Sequence, residues 1–215
     1  MINDNDFVLI NFIGRVASSN KIFDLTYKDV AEKEGIHGEG FSFSPLLVIP
    51  SSNYVLLVIS KSVVGKNVGD KYDLDVKAKD GFGEFNPKLI KTLGLSSFTH
   101  QGINPSAGDV VMLDNTVATV LSVSGGRVMV SFNHPLAGKD LKYSIEIVKT
   151  ISDNKEKCAA IFEHYAGKQP ESVNIEGDVV KISHKEKLKQ YVMDAVTADV
   201  NKYVSKDFKV EITGA

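Results

Sequence analysis

Short apolar runs separated by turn residues open the chain and predict strands around one helix. The run Phe7–Val16 is rich in β-branched and aromatic side chains, which is typical of a buried strand. Lys21–Leu25 predicts a second strand, joined to the first by a hairpin loop. Tyr27–Glu34 predicts a short helix that begins after Thr26, a residue type favoured at the N-cap.

Further strands are predicted on both sides of a long middle segment. Pro45–Ile49 predicts a strand, and Ser60–Val64 predicts a single helical turn. In Tyr72–Ala78 apolar residues alternate with charged ones, as they do in a strand with one face in water. Leu141–Val148 predicts the strand that follows the middle segment. The chain therefore leaves one domain, builds a second and returns to the first.

The middle segment has the pattern of a small antiparallel β unit with one helix. Leu89, Ile90 and Leu93, which follow Pro87, have the spacing of a short helix. Three later runs predict strands: Val110–Leu113, Val117–Val123 and Arg127–Phe132. Tight turns are expected between them, at Asp114-Asn115 and at Ser124-Gly125-Gly126.

The end of the chain predicts a third domain with the order α-β-β-α-β. Its predicted elements are Asp153–Tyr165, Ser172–Glu176, Val179–His184, Lys187–Tyr203 and Asp207–Thr213. The second helix is expected to face inward through Leu188, Tyr191, Val192, Ala195 and Val196. The closing strand alternates cleanly and lies at the chain end, so it is expected to be an open sheet edge.

Composition and charge exclude several classes of protein. The net charge is −2, and of the 25 basic residues only Arg15 and Arg127 are arginine, so no nucleic-acid partner is expected. The charges counted in the middle segment also cancel, which disfavours an RNA-binding β-barrel protein. No apolar run approaches the roughly 20 residues of a membrane helix, so no membrane partner is expected.

Cysteine, histidine and glycine usage predicts neither disulfide nor cofactor. With Cys158 as the single cysteine no intrachain disulfide forms, and a reducing cytoplasm is the expected location. Cys158 stands among apolar residues and is expected to be buried rather than a redox thiol. The five histidines have no metal-ligand spacing, and His134 is expected in a turn. Gly81-Phe82-Gly83 lacks the third glycine of a phosphate loop.

The string Asn133-His134-Pro135-Leu136-Ala137-Gly138-Lys139 lies where the chain returns to its first domain. On physical grounds it is a return turn, because Pro135 disfavours helix at His134 and Ala-Gly is a turn dipeptide. The string resembles the one that closes the insert-in-flap domain of SlyD-like peptidyl-prolyl cis–trans isomerases of the FKBP family, including the archaeal-type long members. A purely structural insertion is the alternative.

The rest of the chain follows the order of motifs in the same family. Phe12, Gly14 and the pair Phe23-Asp24 match its opening, and Val68-Gly69 matches a family turn. The resemblance implies a nearly apolar catalytic site formed by Phe12, Phe23, Asp24, Leu46, Val55, Leu56, Ile59, Phe82 and Tyr143. It also implies that the Leu56 N–H holds the substrate chain and that Asp24 orients the twisted amide. No metal or cofactor is implied.

Two departures from the family pattern bear on this site. Phe12 stands where the family most often has tyrosine, so one hydroxyl is lost. Leu57-Val58 follows the hydrophobic pair, where the family usually has Pro-Gly, and Ile59 is smaller than the usual pocket floor. Both departures favour the rival hypothesis, a holdase-type chaperone whose isomerase pocket is weak or vestigial.

The sequence therefore predicts an α+β chain: an FKBP-like antiparallel β-sheet wrapped on a short helix, an inserted small β-rich domain, and a C-terminal α-β-β-α-β domain. The expected boundaries are 1–83 with 134–150, 84–133, and 151–215. The expected function is isomerisation of prolyl bonds, with unfolded or proline-containing polypeptides as partners bound through the insert. A homodimer through the C-terminal domain is also expected, unless Lys206 and Lys209 keep its edge strand apart.

Overall fold

The chain divides into two units in the computed structural model, which describes residues 1–36, 43–113 and 115–214. The first unit comprises Met1–Arg15, Asn20–Asp75 and Lys142–Ala215, and the second comprises Val16–Ser19 and Val76–Leu141. The three-domain division predicted from sequence stays a prediction. The C-terminal elements lie in the first of these two units. His37 and Asp114 lie outside the described residues.

The described elements alternate between strands and short helices. In chain order they are β1 (Phe7–Val16), β2 (Ile22–Leu25), α1 (Lys28–Lys33), β3 (Leu46–Val48), α2 (Leu57–Ser62), β4 (Lys71–Val76), β5 (Ile90–Gly94), α3 (Ser96–Thr99), β6 (Val110–Leu113), β7 (Thr116–Ser124), β8 (Arg127–Ser131), β9 (Leu141–Ile151), α4 (Asn154–Ala166), β10 (Ser172–Glu176), β11 (Val179–His184), α5 (Gln190–Tyr203) and β12 (Lys209–Gly214). Single turns of 3₁₀ helix lie at Ala78–Asp80 and Pro87–Leu89. The chain is thus α+β, as predicted.

The principal sheet of the first unit has the order β2-β1-β9-β4, and β3 pairs antiparallel with β1. Along β1, buried and half-buried side chains alternate over most of the strand, as the apolar run Phe7–Val16 requires for a central position. This order makes β1, which carries Phe12, a neighbour of β9, which carries Tyr143. Two of the predicted site residues are therefore brought together by sheet pairing.

The C-terminal elements share a core with the principal sheet. β10, β11 and β12 form a second sheet, in which β11 and β12 are parallel. Phe7 on β1 and Leu47 on β3 belong to the same buried cluster as Cys158, Ile161 and Phe162 on α4. Cys158 is fully buried and burial raises the pKa of its thiol to about 11, which confirms the predicted structural role.

The C-terminal elements follow the predicted order, but the predicted orientation of one side chain is wrong. α4 begins after Asp153, whose carboxylate accepts from the Glu156 N–H, and ends at Gly167 with φ 69°. On α5 the buried stripe is Val192, Val196 and Val200. The prediction that Tyr191 faces inward is wrong, because it precedes this stripe by one position and its side chain is 67% exposed.

The second unit contains a four-stranded antiparallel sheet with the order β5-β8-β7-β6. Its core is the fully buried Phe98 on α3 and the inward side chains of the strands: Val111, Leu113, Ala118, Val120, Val128 and Val130. The β7–β8 turn has positive φ at both Gly125 and Gly126, which matches the predicted tight turn.

The predicted helix at Leu89–Leu93 is wrong. The Asn86 side chain accepts from the Lys88 N–H, and helical structure stops after the single 3₁₀ turn. The following residues form β5, in which Ile90 pairs with Ser131 and Leu93 with Val128. A long-range strand pairing overrides the local spacing of apolar residues here.

Candidate functional site

Three predicted aromatic residues meet in the first unit. The Tyr143 ring lies 5.9 Å from that of Phe12 and 5.7 Å from that of Phe23, in a tilted and an edge-to-face arrangement. Phe12 and Tyr143 are buried, whereas Phe23 is half-buried. Edge-to-face packing fixes the ring planes as well as their separation. The trio forms an apolar wall with one edge open.

Thr26 fixes the backbone of Phe12. Its N–H donates to the Phe12 carbonyl at 3.0 Å, and its Oγ1 accepts from the Phe12 N–H at 2.9 Å. The predicted role of Thr26 as a helix N-cap is therefore wrong. The N-cap of α1 is Tyr27, which makes no side-chain capping bond. The Thr26 hydroxyl is buried against β1 instead, and no local sequence pattern distinguishes the two roles.

Asp24 lies opposite Gly14 in the β1–β2 pairing, beside the aromatic trio. The Asp24 side chain is exposed at the rim of this trio. Partial desolvation still raises the pKa of this carboxyl, and the Leu25 N–H opposes the shift. Burial, with the nearby Asp24 charge, also raises the pKa of Tyr143, so its phenol stays protonated at neutral pH. The site holds one weakly desolvated carboxylate at the rim of an uncharged wall.

The hydrophobic pair Val55-Leu56 immediately precedes α2. The Leu56 carbonyl accepts from the N–H groups of Ile59 and Ser60, at 2.8 and 3.1 Å. The Leu56 N–H donates to no other group among the described residues. Ile59 is buried, whereas the departure residue Leu57 is 57% exposed. A free N–H on an ordered turn is the feature that can hold an extended peptide.

A cavity of about 270 Å³ extends the site towards the C-terminal elements. Phe12, Asp24 and Leu46 line one side of it, and Glu163 and His164 on α4 line the other. Sequence patterns do not predict this wall, because α4 is far from β1 along the chain. Burial lowers the pKa of His164 despite the opposing charge of Asp199.

Phe82 belongs to the second unit, where its ring stacks on His134 with 4.3 Å between centroids and 2° between planes. His134 lies in the predicted turn, and its Nδ1 accepts from the Leu136 N–H. The Gly138 N–H donates to the Gly83 carbonyl at 2.8 Å and closes the base of the insert. The role of Phe82 in the catalytic pocket stays a prediction.

Within the part of the chain that the structure describes, no group of three or more His, Cys, Asp or Glu side chains is arranged to hold a metal ion. Over the same described ranges, no helix has the length and apolar character to cross a membrane.

Comparison with known proteins bears on both units. Residues 91–136 match the family model of the FKBP26 IF domain. The short-type peptidyl-prolyl cis-trans isomerase of Methanocaldococcus jannaschii is 24% identical over 147 residues, which are 68% of this chain and 92% of that protein. The FKBP-type peptidyl-prolyl cis-trans isomerase SlyD of Pasteurella multocida is 25% identical over 155 residues, 70% of this chain and 77% of that protein.

A third relative has higher identity over a shorter matched stretch. The probable FKBP-type 16 kDa peptidyl-prolyl cis-trans isomerase of Pseudomonas fluorescens is 32% identical over 92 residues, which are 40% of this chain and 60% of that protein. The family match lies in the inserted sheet, and the relatives are named for one enzyme class. Over these stretches the chain is therefore similar to SlyD-like FKBP-type peptidyl-prolyl cis–trans isomerases and to the insert domain of FKBP26.

Proposed function

We propose that this isomerase rotates X–Pro bonds in a pocket formed by the aromatic trio Phe12, Phe23 and Tyr143 together with the Val55–Ile59 turn. The observation that carries the proposal is the edge-to-face packing of Phe23 on Tyr143 beside a rim carboxylate, Asp24. The remaining predicted residue of the first unit, Leu46, extends the apolar lining. No nucleophile is needed, because the reaction breaks no covalent bond.

The chemistry follows from the origin of the barrier. Amide resonance opposes rotation by roughly 18–20 kcal/mol, and water favours the charge-separated planar amide. An apolar pocket removes water from the prolyl carbonyl and so favours the twisted amide, which has less charge separation. The free Leu56 N–H holds the substrate backbone, and Asp24 orients the twisted amide by polar contact.

The matching experiment measures cis–trans exchange of a short X–Pro peptide with and without the full chain. The uncatalysed reaction takes tens of seconds or more, so catalysis is visible directly. We expect exchange well above the uncatalysed rate. An unchanged rate rejects the isomerase pocket and leaves the rival hypothesis, a holdase.

We also propose that the insert binds unfolded polypeptides through the outer face of its sheet. Met112 is 57% exposed, and its antiparallel partner Val117 is 53% exposed. Exposed apolar side chains are also found at Val110, Leu121 and Met129. Exposed apolar patches of this kind mark binding surfaces, and methionine adapts to many partners. A purely structural sheet would carry polar residues on this face.

This second proposal is tested with Met112→Asp beside Thr99→Asp. Met112 lies on the exposed apolar face, whereas Thr99 is exposed on α3, whose Phe98 packs in the core on the other face of the sheet, and it serves as a control for the added charge. Suppression of aggregation of an unfolded protein is expected to fall in the first variant alone. Equal effects of the two substitutions would reject the apolar face as the binding surface.

We further propose a homodimer through the C-terminal sheet. β12 pairs with β11 on one side and ends the described sheet on the other, so its outer edge offers unpaired backbone groups. A dimer would present two inserts to one unfolded chain and raise avidity without new contacts. Light scattering of the full chain is expected to give twice the monomer mass at high micromolar concentration. A monomer under those conditions excludes the dimer.

A further inference from the structure

Five polar aromatic and acidic side chains form a cluster that connects the Val55-Leu56 turn to the C-terminal helices. The Tyr54 cluster consists of Tyr54, His164, Tyr165, Asp199 and Tyr203, all within the first unit. Tyr54 belongs to the loop between β3 and α2, two residues before Leu56. The other four lie on α4 and α5. The cluster therefore crosses from the isomerase part of the unit to its C-terminal part.

One carboxylate oxygen of Asp199 accepts hydrogen bonds from two tyrosines. The Tyr54 hydroxyl donates to Oδ2 of Asp199 at 2.6 Å, and the Tyr165 hydroxyl donates to the same oxygen at 2.5 Å. Hydrogen bonds to a carboxylate are shorter and stronger than neutral ones. Two such bonds hold this half-buried carboxylate in place, and the carboxylate in turn holds the Tyr54 side chain.

Ring packing restrains Tyr54 in the remaining directions. His164 stacks on its face at 3.9 Å with 10° between planes, and Tyr203 meets it edge-on at 6.2 Å. The Tyr54 N–H also donates to the buried Ser52 hydroxyl at 3.3 Å. Side chain and backbone are thus both held at Tyr54.

We propose that Asp199 and Tyr54 are positioning residues, which hold the Leu56 N–H in place for the substrate backbone. The inference rests on the proposed isomerase function. α2 fixes the chain after Leu56, and the Tyr54 cluster fixes it before Val55, so the free N–H is held from both sides. The C-terminal helices thereby contribute to substrate binding without contacting the substrate chain at this point.

The experiment compares Tyr54→Phe with Tyr165→Phe. Each variant removes one hydroxyl that donates to the same Asp199 oxygen, but only Tyr54 adjoins the substrate-binding turn. Tyr54→Phe is expected to raise KM for an X–Pro peptide about three- to tenfold, the range of one hydrogen bond, with kcat within about twofold. Tyr165→Phe is expected to leave KM unchanged. An equal KM shift in both variants, or none in Tyr54→Phe, overturns the proposal.

A readout independent of turnover separates this inference from the proposed function. Amide hydrogen exchange at Ile59, whose N–H donates to the Leu56 carbonyl, is expected to accelerate in Tyr54→Phe and not in Tyr165→Phe. If the wild-type chain fails to catalyse exchange of the peptide, the proposed function fails while this comparison still decides the positioning role. If Tyr54→Phe does not fold, Asp199→Asn keeps an acceptor oxygen and is expected to accelerate exchange of the Ile59 N–H. Unchanged exchange in Asp199→Asn contradicts the positioning role.

Discussion

The ring of Phe23 lies against the backbone of Gly14: a Cβ on Gly14 would come 2.7 Å from Cζ of Phe23, closer than atoms pack. The absence of a side chain at Gly14 thus creates the space in which Phe23 meets Tyr143 edge-on. Glycine is needed here for close approach and not for backbone conformation, since Gly14 is not among the residues with positive φ. One small residue on β1 therefore shapes the apolar wall.

Gly14→Ala is expected to displace the Phe23 ring and lower kcat/KM about tenfold, because small misplacements of a site are costly. Overpacking should also lower the free energy of unfolding by about 1–3 kcal/mol. Peptide isomerisation and urea denaturation measure the two effects. The control is Gly94→Ala on β5, where the nearest atom to an added Cβ is the Ser96 Oγ at 3.4 Å. Full activity in Gly14→Ala would show that catalysis does not depend on the position of the Phe23 ring.

Asp24→Leu is expected to reduce isomerisation more than stability. The raised pKa of Asp24 means that the fold gains nothing from its ionised form, so its loss leaves the free energy of unfolding unchanged or raised. Asp29→Leu, an exposed carboxylate on α1, is the control and should leave turnover unchanged. Full turnover in Asp24→Leu would reduce Asp24 to a structural residue.

Removal of residues 84–133, with the ends joined by a short turn, is expected to retain activity on a small X–Pro peptide. The base of the insert keeps the contacts of Asp140, which accepts from the Ala17 N–H at 2.9 Å and, through Oδ1, from the Ala78 N–H at 3.0 Å. The rate at which the variant accelerates refolding of an unfolded protein should fall sharply, because the insert raises local substrate concentration. Equal loss on both substrates would contradict this division between the units.

His164 makes the stability of the chain depend on pH. Burial holds its pKa below the ordinary 6.5, so the unfolded chain binds the proton more readily than the folded one. The free energy of unfolding is therefore expected to fall as pH drops from about 6.5 towards the lowered pKa. His164→Gln should flatten this slope in urea denaturation, whereas His100→Gln, at an exposed histidine, should not. If the slope persists in His164→Gln, groups other than His164 cause the pH dependence.

Sequence patterns predicted the elements that are determined by residues close together along the chain. Alternation along the strands and the capped helix after Asp153 gave most of the α+β order, and the motif order gave Phe12, Phe23 and Tyr143 as one group. The insert strands other than β5 were also predicted, because each is a continuous β-branched run beside a turn.

The remaining features depend on contacts between distant parts of the chain. β5 is a strand because it pairs with β8. Thr26 does not cap α1, because its hydroxyl accepts from the Phe12 N–H on β1 instead. The Tyr54–Asp199 contact joins residues 145 positions apart, and no periodicity indicates it. Sequence patterns report which face of an element is apolar and not which distant element covers it.

The most direct measurement follows cis–trans exchange of one short X–Pro peptide in the wild-type chain, Phe23→Ala and Met112→Asp. Phe23 lies in the aromatic trio of the first unit, and Met112 lies on the exposed face of the insert. Fast exchange is expected for wild type and Met112→Asp, and a rate close to the uncatalysed one for Phe23→Ala. Fast exchange in Phe23→Ala, or none in wild type, would contradict the proposed isomerase pocket.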